Sequence, residues 1–320
     1  MRRDKKTVKN SVIGWLNRDK SPLLTTHPLW RPTTPSRGCT TRSTHEKSYR
    51  QPPLRKQPRA RTIRKRDFNL AFICATYLFL ITGAELLTSY DPLLGVVSHI
   101  LILCGLLLYA AIEYDRNKIF AQFLTALVIP PIIRILSLSM PIVHFSRIFW
   151  FILISIPIFI AVFTCMWLLG IRPKDAGLVM PHRRDAPIEA GVILMAVPFG
   201  IMEYLILKPS PLGLYLAIPN LIALVLIILV CTGFLEELSF RGLMQFTTLQ
   251  LISKWWAILF VSAIFGVLHA GNLSFLDCLL AFSVGLMFSV VRYRTGSIYG
   301  ITVSHGVINI ILFVVAPLYL

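Results

Sequence analysis

The sequence predicts an all-α, polytopic bundle of eight to nine membrane-spanning helices around a polar intramembrane cavity. Three observations lead there. Hydrophobic residues make up 55% of the 320, above the roughly 45–50% of a soluble domain. Charge is segregated: residues 1–66 hold 19 Lys and Arg against Asp4, Asp19 and Glu46, so nearly all of the net +17 sits there. From Phe68 onward, apolar stretches close to the roughly 20 residues needed for one crossing follow one another with short polar breaks.

Residues 1–66 are rich in Arg, Lys, Pro, Ser and Thr and show no sustained apolar periodicity. Such a composition cannot bury a core and reads as disordered. The plainest expectation is a cytoplasmic leader that fixes orientation, or an extension upstream of the true start. A transit-like sequence and a headgroup contact through Arg59, Arg61, Arg64, Lys65 and Arg66 are the specific alternatives. Nucleic acid is not an expected partner, because neither aromatic interleaving nor a folded binding module is present.

The spans fall at about 68–89, 92–112, 119–139, 148–170, 189–207, 215–250, 255–271, 277–293 and 298–319. The third contains Pro130, Pro131 and Arg134, which predict a kinked or incomplete crossing; the choice between eight and nine rests on it. The sixth is longer than one crossing. Arg116, Lys118, Arg172, Lys174, Arg183, Arg184, Lys254, Arg292 and Arg294 fall on the side of the tail, and Arg147 and Lys208 opposite. That bias puts the N-terminus in the cytoplasm and the C-terminus outside, in a bacterial plasma membrane or, alternatively, an organellar one. The loop 171–188 divides the body into N-terminal helices, 67–188, and a polar-rich half, 189–320. The six cysteines are scattered singly, without a disulfide framework or zinc-finger spacing. No internal repeat of the kind that builds many transporters is evident.

Three polar clusters lie in the last spans, where each ionisable group costs about 2.5–3.5 kcal/mol at a helix centre. The first is Glu236-Glu237-x-x-x-Arg241. Glu237 and Arg241 share a helix face and can pair, leaving Glu237 as a structural acid. Glu236 points about 100° away with no local cation, which suits a general base; an interfacial charge at a helix end is the competing reading. The second is Phe265-x-x-x-His269, where a packed histidine competes with a catalytic one. The third is His305-x-x-x-Asn309, two polar groups on one face that could equally be interhelical hydrogen-bonding glue.

Depth links the clusters. Glu236 lies 14 residues before Gln250 and His269 14 beyond Trp255, each roughly 20 Å in. His305 lies nine residues beyond Gly296, roughly 13 Å in, with Asn309 about 6 Å deeper. A common site requires the sixth helix to continue through Arg241 and Gln245.

The ordered set E-E-x-x-x-R, F-x-x-x-H and H-x-x-x-N on successive spans, followed over residues 215–315, resembles the CPBP family of intramembrane proteases. That family includes the Ras-converting CAAX endopeptidase and bacteriocin-immunity homologues. Arg294-Thr-Gly-Ser297 also resembles the family's turn before the last span. The resemblance implies hydrolysis of a peptide bond inside a helical bundle. It makes Glu236 the general base, His269 a holder of the attacking water, and His305 and Asn309 the oxyanion donors. Glu237, Arg241 and Phe265 become supporting residues. It implies a peptide or protein substrate at the membrane, lipid-modified or not, with membrane lipid as the surroundings. Family members are often described as metalloproteases, and zinc on Glu236, His269 and His305 is conceivable. A metal-free site without cofactor accounts for the same residues and is the favoured expectation. Two other functions compete: a non-catalytic immunity or scaffold protein of the same fold, and a transporter with Glu85, Glu203, Glu236 and Glu237 as an ion relay.

Overall fold

The computed structural model describes residues 63–139, 145, 147–212 and 217–320, so the reading of the tail lies outside it except at Ile63–Arg66, which open the first helix. Among the described residues all regular structure is helical, and nine helical segments are long and apolar enough to cross a membrane. They are span 1 (Asn69–Tyr90), span 2 (Pro92–Glu113), span 3 (Lys118–Ser139), span 4 (Ile148–Leu169) and span 5 (Arg183–Leu207). Span 6 (Ile218–Leu249), span 7 (Lys254–Asn272), span 8 (Phe275–Thr295) and span 9 (Tyr299–Tyr319) complete the set. The protein is a multi-pass integral membrane protein.

Local chemistry sets the breaks. Span 2 starts where the Asp91 side chain accepts from the N–H groups of Leu93 and Leu94, at 2.8 and 3.2 Å, with Pro92 in the first turn. Proline is tolerated there because that N–H has no helical partner. Span 3 does break, into Lys118–Ala126 and Ile129–Ser139. Pro131 has no N–H to give to the carbonyl four residues back. The Tyr77 hydroxyl of span 1 donates to that carbonyl, of Leu127, at 2.9 Å instead. A break that would leave a polar group bare in hydrocarbon is thereby closed by a neighbouring helix.

Span 6 is the hub. Its 32 residues would reach about 48 Å as pure α-helix, against a hydrocarbon core of about 30 Å. Leu235, Leu238 and Leu243 pack into a cluster with Val162, Val192 and Phe288 from spans 4, 5 and 8. Phe240 and Met244 pack into a second cluster with Ile81, Phe123 and Ile264 from spans 1, 3 and 7. The helix widens into π-turns at Leu229–Phe234 and Leu238–Met244, with only Leu235–Glu237 in α geometry between them. The third π-turn runs Ile311–Val315 in span 9. Such turns occur often at functional sites.

Glycine sets the distance between spans 6 and 9. A Cβ on Gly233 would lie 2.8 Å from the Thr302 carbonyl oxygen and 2.9 Å from the Gly306 nitrogen. One on Gly306 would collide with Leu229. Both obstacles include backbone or a packed neighbour, so only glycine permits this crossing.

Candidate active site

The continuous helix through Arg241 and Gln245 that a common site requires is present. Glu237 and Arg241 are fully buried. The Arg241 Nη1 donates to Glu237 Oε1 at 2.9 Å, and Nη2 donates to the Gly285 carbonyl of span 8 at 3.1 Å. Its guanidinium also stands over the Phe265 ring, 4.4 Å from the centroid, a cation–π contact that strengthens when water is excluded. Gly285 has to be small here, because a Cβ would come within 3.1 Å of Nη2.

Glu237 serves a second partner. Its Oε1 lies 2.8 Å from His305 Nδ1. A carboxylate held by arginine can only accept, so Nδ1 carries the proton and donates. His305 Nε2 then faces Glu236, whose Oε2 is 3.8 Å away. Glu236 differs from its neighbour: its side chain is 32% exposed and makes no contact with Arg241 at ion-pair distance. The two adjacent carboxylates thus have separate environments.

His269 lies past the end of the α-helical part of span 7, in a 3₁₀ turn over Leu268–Asn272. Its Nδ1 is 2.9 Å from the Phe265 carbonyl, an oxygen that can only accept, so Nδ1 again donates and Nε2 remains for the site. The Phe265 ring is 5.0 Å from the His269 ring and 5.8 Å from the His305 ring. One aromatic side chain therefore spaces both histidines and Arg241. Asn309 donates from Nδ2 to Thr232 Oγ1 at 2.8 Å, and Thr232 in turn donates to the Ile228 carbonyl at 2.6 Å. His305 and Asn309 are therefore not wholly free donors, as spacing alone suggested. Each already has one N–H engaged.

Two spaces adjoin at these residues. His269, His305 and Asn309 line a pocket of about 30 Å³ together with Glu203 and Phe199 of span 5. That is room for a water molecule, and polar partners surround it. Glu236 is not among its lining residues. It opens instead, with Thr232 and Leu235, onto a larger apolar cavity of about 360 Å³ bounded by Ile133, Phe151, Ile158 and Phe313. The Glu236–His305 and Thr232–Asn309 contacts join the two spaces.

Sequence reasoning missed the hydrogen-bonding role of Thr232, since a threonine in an apolar helix carries no signal. It saw Glu203 only as a member of a charge relay. Among the described residues no three His, Cys, Asp or Glu side chains gather closely enough to hold one metal ion. Glu236, His269 and His305 therefore do not fit as a ready three-ligand zinc site, and no step below passes through a metal.

The sequence model of the family "Type II CAAX prenyl endopeptidase Rce1-like" matches residues 218–311. Neither a curated protein nor a solved structure matches the chain. The matched stretch runs from the start of span 6 into span 9 and contains Glu236, Glu237, Arg241, Phe265, His269, His305 and Asn309. The match covers under a third of the 320 residues, and the family it describes is one of CAAX prenyl endopeptidases. Over residues 218–311, the chain carries a domain of the Rce1-like type II CAAX prenyl endopeptidase (CPBP) family.

Proposed function

We propose that the protein is an intramembrane endopeptidase in which Glu236 activates water against a peptide bond of a membrane-associated substrate. The observation that carries this reading is the water-sized polar pocket lined by His269, His305 and Asn309, with Glu236 set against His305 at 3.8 Å. Water where that pocket meets the larger cavity, beside the Glu236–His305 contact, donates to His269 Nε2 and gives its other proton to Glu236 as its oxygen attacks the carbonyl carbon. The resulting oxyanion takes the remaining N–H of Asn309 and the Nε2–H of His305, whose ring enters the cycle already doubly protonated between Glu237 and Glu236. The tetrahedral intermediate then collapses, the C–N bond breaks, and the amine leaves with the proton held by Glu236. The apolar cavity beside Glu236 would hold the hydrophobic or lipid-modified part of the substrate.

Residues 189–320 are the protease core in this reading, 67–188 are an N-terminal set of helices, and 1–66 a basic tail. The loop charges orient the N-terminus to the cytoplasm, in a bacterial-type plasma membrane. Membrane-impermeant maleimide, applied to a cysteine-free variant with single cysteines introduced beside Arg116 or Lys208, should label only the Lys208 site from outside. Labelling at Arg116 alone would reverse the orientation.

The direct test reconstitutes the protein in liposomes with membrane-tethered peptides, prenylated and unprenylated. Wild type should cleave, and His269→Ala should lose about 100-fold in rate, in the range of a lost proton-handling group. Exhaustive dialysis against a chelator should leave the rate unchanged. Cleavage that survives His269→Ala unaltered would remove His269 from the site. A wild type inert towards every tethered peptide would favour the non-catalytic scaffold.

A further inference from the structure

We propose that Glu85 and Arg134, both outside the family-matched region, form a positioning clamp that sets His269 in the site. The proposal rests on the reading of His269 as an active-site residue. Arg134, on the second half of span 3, donates from Nη2 to the Leu268 carbonyl at 2.6 Å. Leu268 immediately precedes His269, and its carbonyl sits in the 3₁₀ turn Leu268–Asn272 that closes span 7, where an oxygen with two lone pairs can also accept from another helix. Arg134 is itself held by Glu85 of span 1. Its Nε donates to Glu85 Oε1 at 2.8 Å, and Nη2 lies 2.7 Å from Oε2. Glu85 is fully buried, with His99 Nε2 of span 2 at 3.4 Å from its Oε1.

The guanidinium fork is what the arrangement needs. One face engages a carboxylate at two points while a remaining N–H reaches a carbonyl on another helix. Gly271, two residues beyond His269, lies beside it: a Cβ there would be 3.3 Å from Nη1. The peptide before His269 and the turn after it are therefore both seated on one side chain. His269 is pinned from the other side by its ring contact to Phe265. A buried ion pair is a poor source of stability compared with apolar packing, and more so in a membrane. Fixing the attitude of one turn is a use that apolar residues cannot supply, because they offer Leu268 no donor.

The test uses Arg134→Lys in the full-length reconstituted protein. Lysine keeps the charge beside Glu85, but its ammonium ends one atom short of the position of Nη2, the nitrogen that touches both the carboxylate and the Leu268 carbonyl. A clamp predicts kcat lower by about 10- to 100-fold, the scale of a displacement near 1 Å, with KM and unfolding temperature near wild type. The same substitution should cost nothing further in the residual cleavage of His269→Ala, because its effect passes through that ring. Hydrogen exchange should quicken at amides 268–274 and stay unchanged in spans 6 and 9. Wild-type exchange with wild-type kcat in Arg134→Lys overturns the clamp, as does faster exchange with unaltered kcat. An undiminished loss in the His269→Ala background also overturns it. If the wild type cleaves no substrate, the protease reading fails while the exchange comparison alone still decides whether Arg134 holds the turn.

Discussion

Glu236→Gln should abolish nearly all cleavage while leaving the fold intact. General-base catalysis contributes about 10²- to 10⁴-fold, so a loss of that size in kcat, equivalent to roughly 3–5 kcal/mol of barrier, is the expected result. The substitution keeps the shape of the side chain and removes only its capacity to take a proton. Folding should tolerate it, because Glu236 is partly exposed at the apolar cavity and contributes no buried ion pair. Glu237, one residue on, is the built-in control: it is a carboxylate of the same pair with both its Arg241 and His305 contacts already made. Single-turnover cleavage in liposomes, with unfolding temperature measured on the same preparation, reads both halves of the expectation. A Glu236→Gln protein within a few-fold of wild type in cleavage would remove Glu236 as the base.

Arg241→Leu should have the largest effect on stability. Both partners of the Arg241–Glu237 pair are wholly buried, and removing one member leaves an uncompensated charge, which costs about 3–5 kcal/mol. It also removes the donor to Gly285 and the cation over Phe265. The double variant Glu237→Leu/Arg241→Leu should recover much of the unfolding temperature, since a buried pair replaced by apolar residues is often neutral or better. It should not recover cleavage, because His305 then has no acceptor to fix its Nδ1 proton. Thermal unfolding in detergent, followed by cleavage after reconstitution, separates the two consequences. Equal stability of Arg241→Leu and wild type would mean that the pair is solvated rather than buried.

The spans were legible because hydrophobic run length is nearly the whole signal for a helix in lipid. Span 2 begins at Pro92 and span 3 ends at Ser139, as read from sequence, and the disruption of span 3 follows from Pro130 and Pro131. Spacing on an ideal helix also placed Glu237 against Arg241, and a common site at one depth required span 6 to continue through Arg241 and Gln245, as it does, to Leu249. What spacing could not supply was adjacency between helices. The Glu237–His305 bond, the Thr232–Asn309 bond and the contact of Arg134 with Leu268 each join residues 68 or more apart. Nothing in a single sequence distinguishes those partners from the other polar groups at similar depth. Nor does it foretell the π-turns, which follow from how span 6 accommodates neighbours on several sides at once.

Those wide turns make the sensitivity of span 6 to length uneven along the helix. A π-turn carries one residue more than the α-turn it replaces. Deleting one residue within Leu229–Phe234 would turn that π-turn into an α-turn with the flanking segments still in phase. The α-helical Leu235–Glu237 has no surplus residue to lose, and a deletion there would rotate its two flanks by about 100° relative to each other. Substitutions at outward-facing Leu226 or Val230, both largely exposed, leave that register untouched. The helix that carries Glu236 thus pairs wide freedom of side chain along its lipid face with a residue count that is forgiving at its π-turns and strict in the α-helical turn between them.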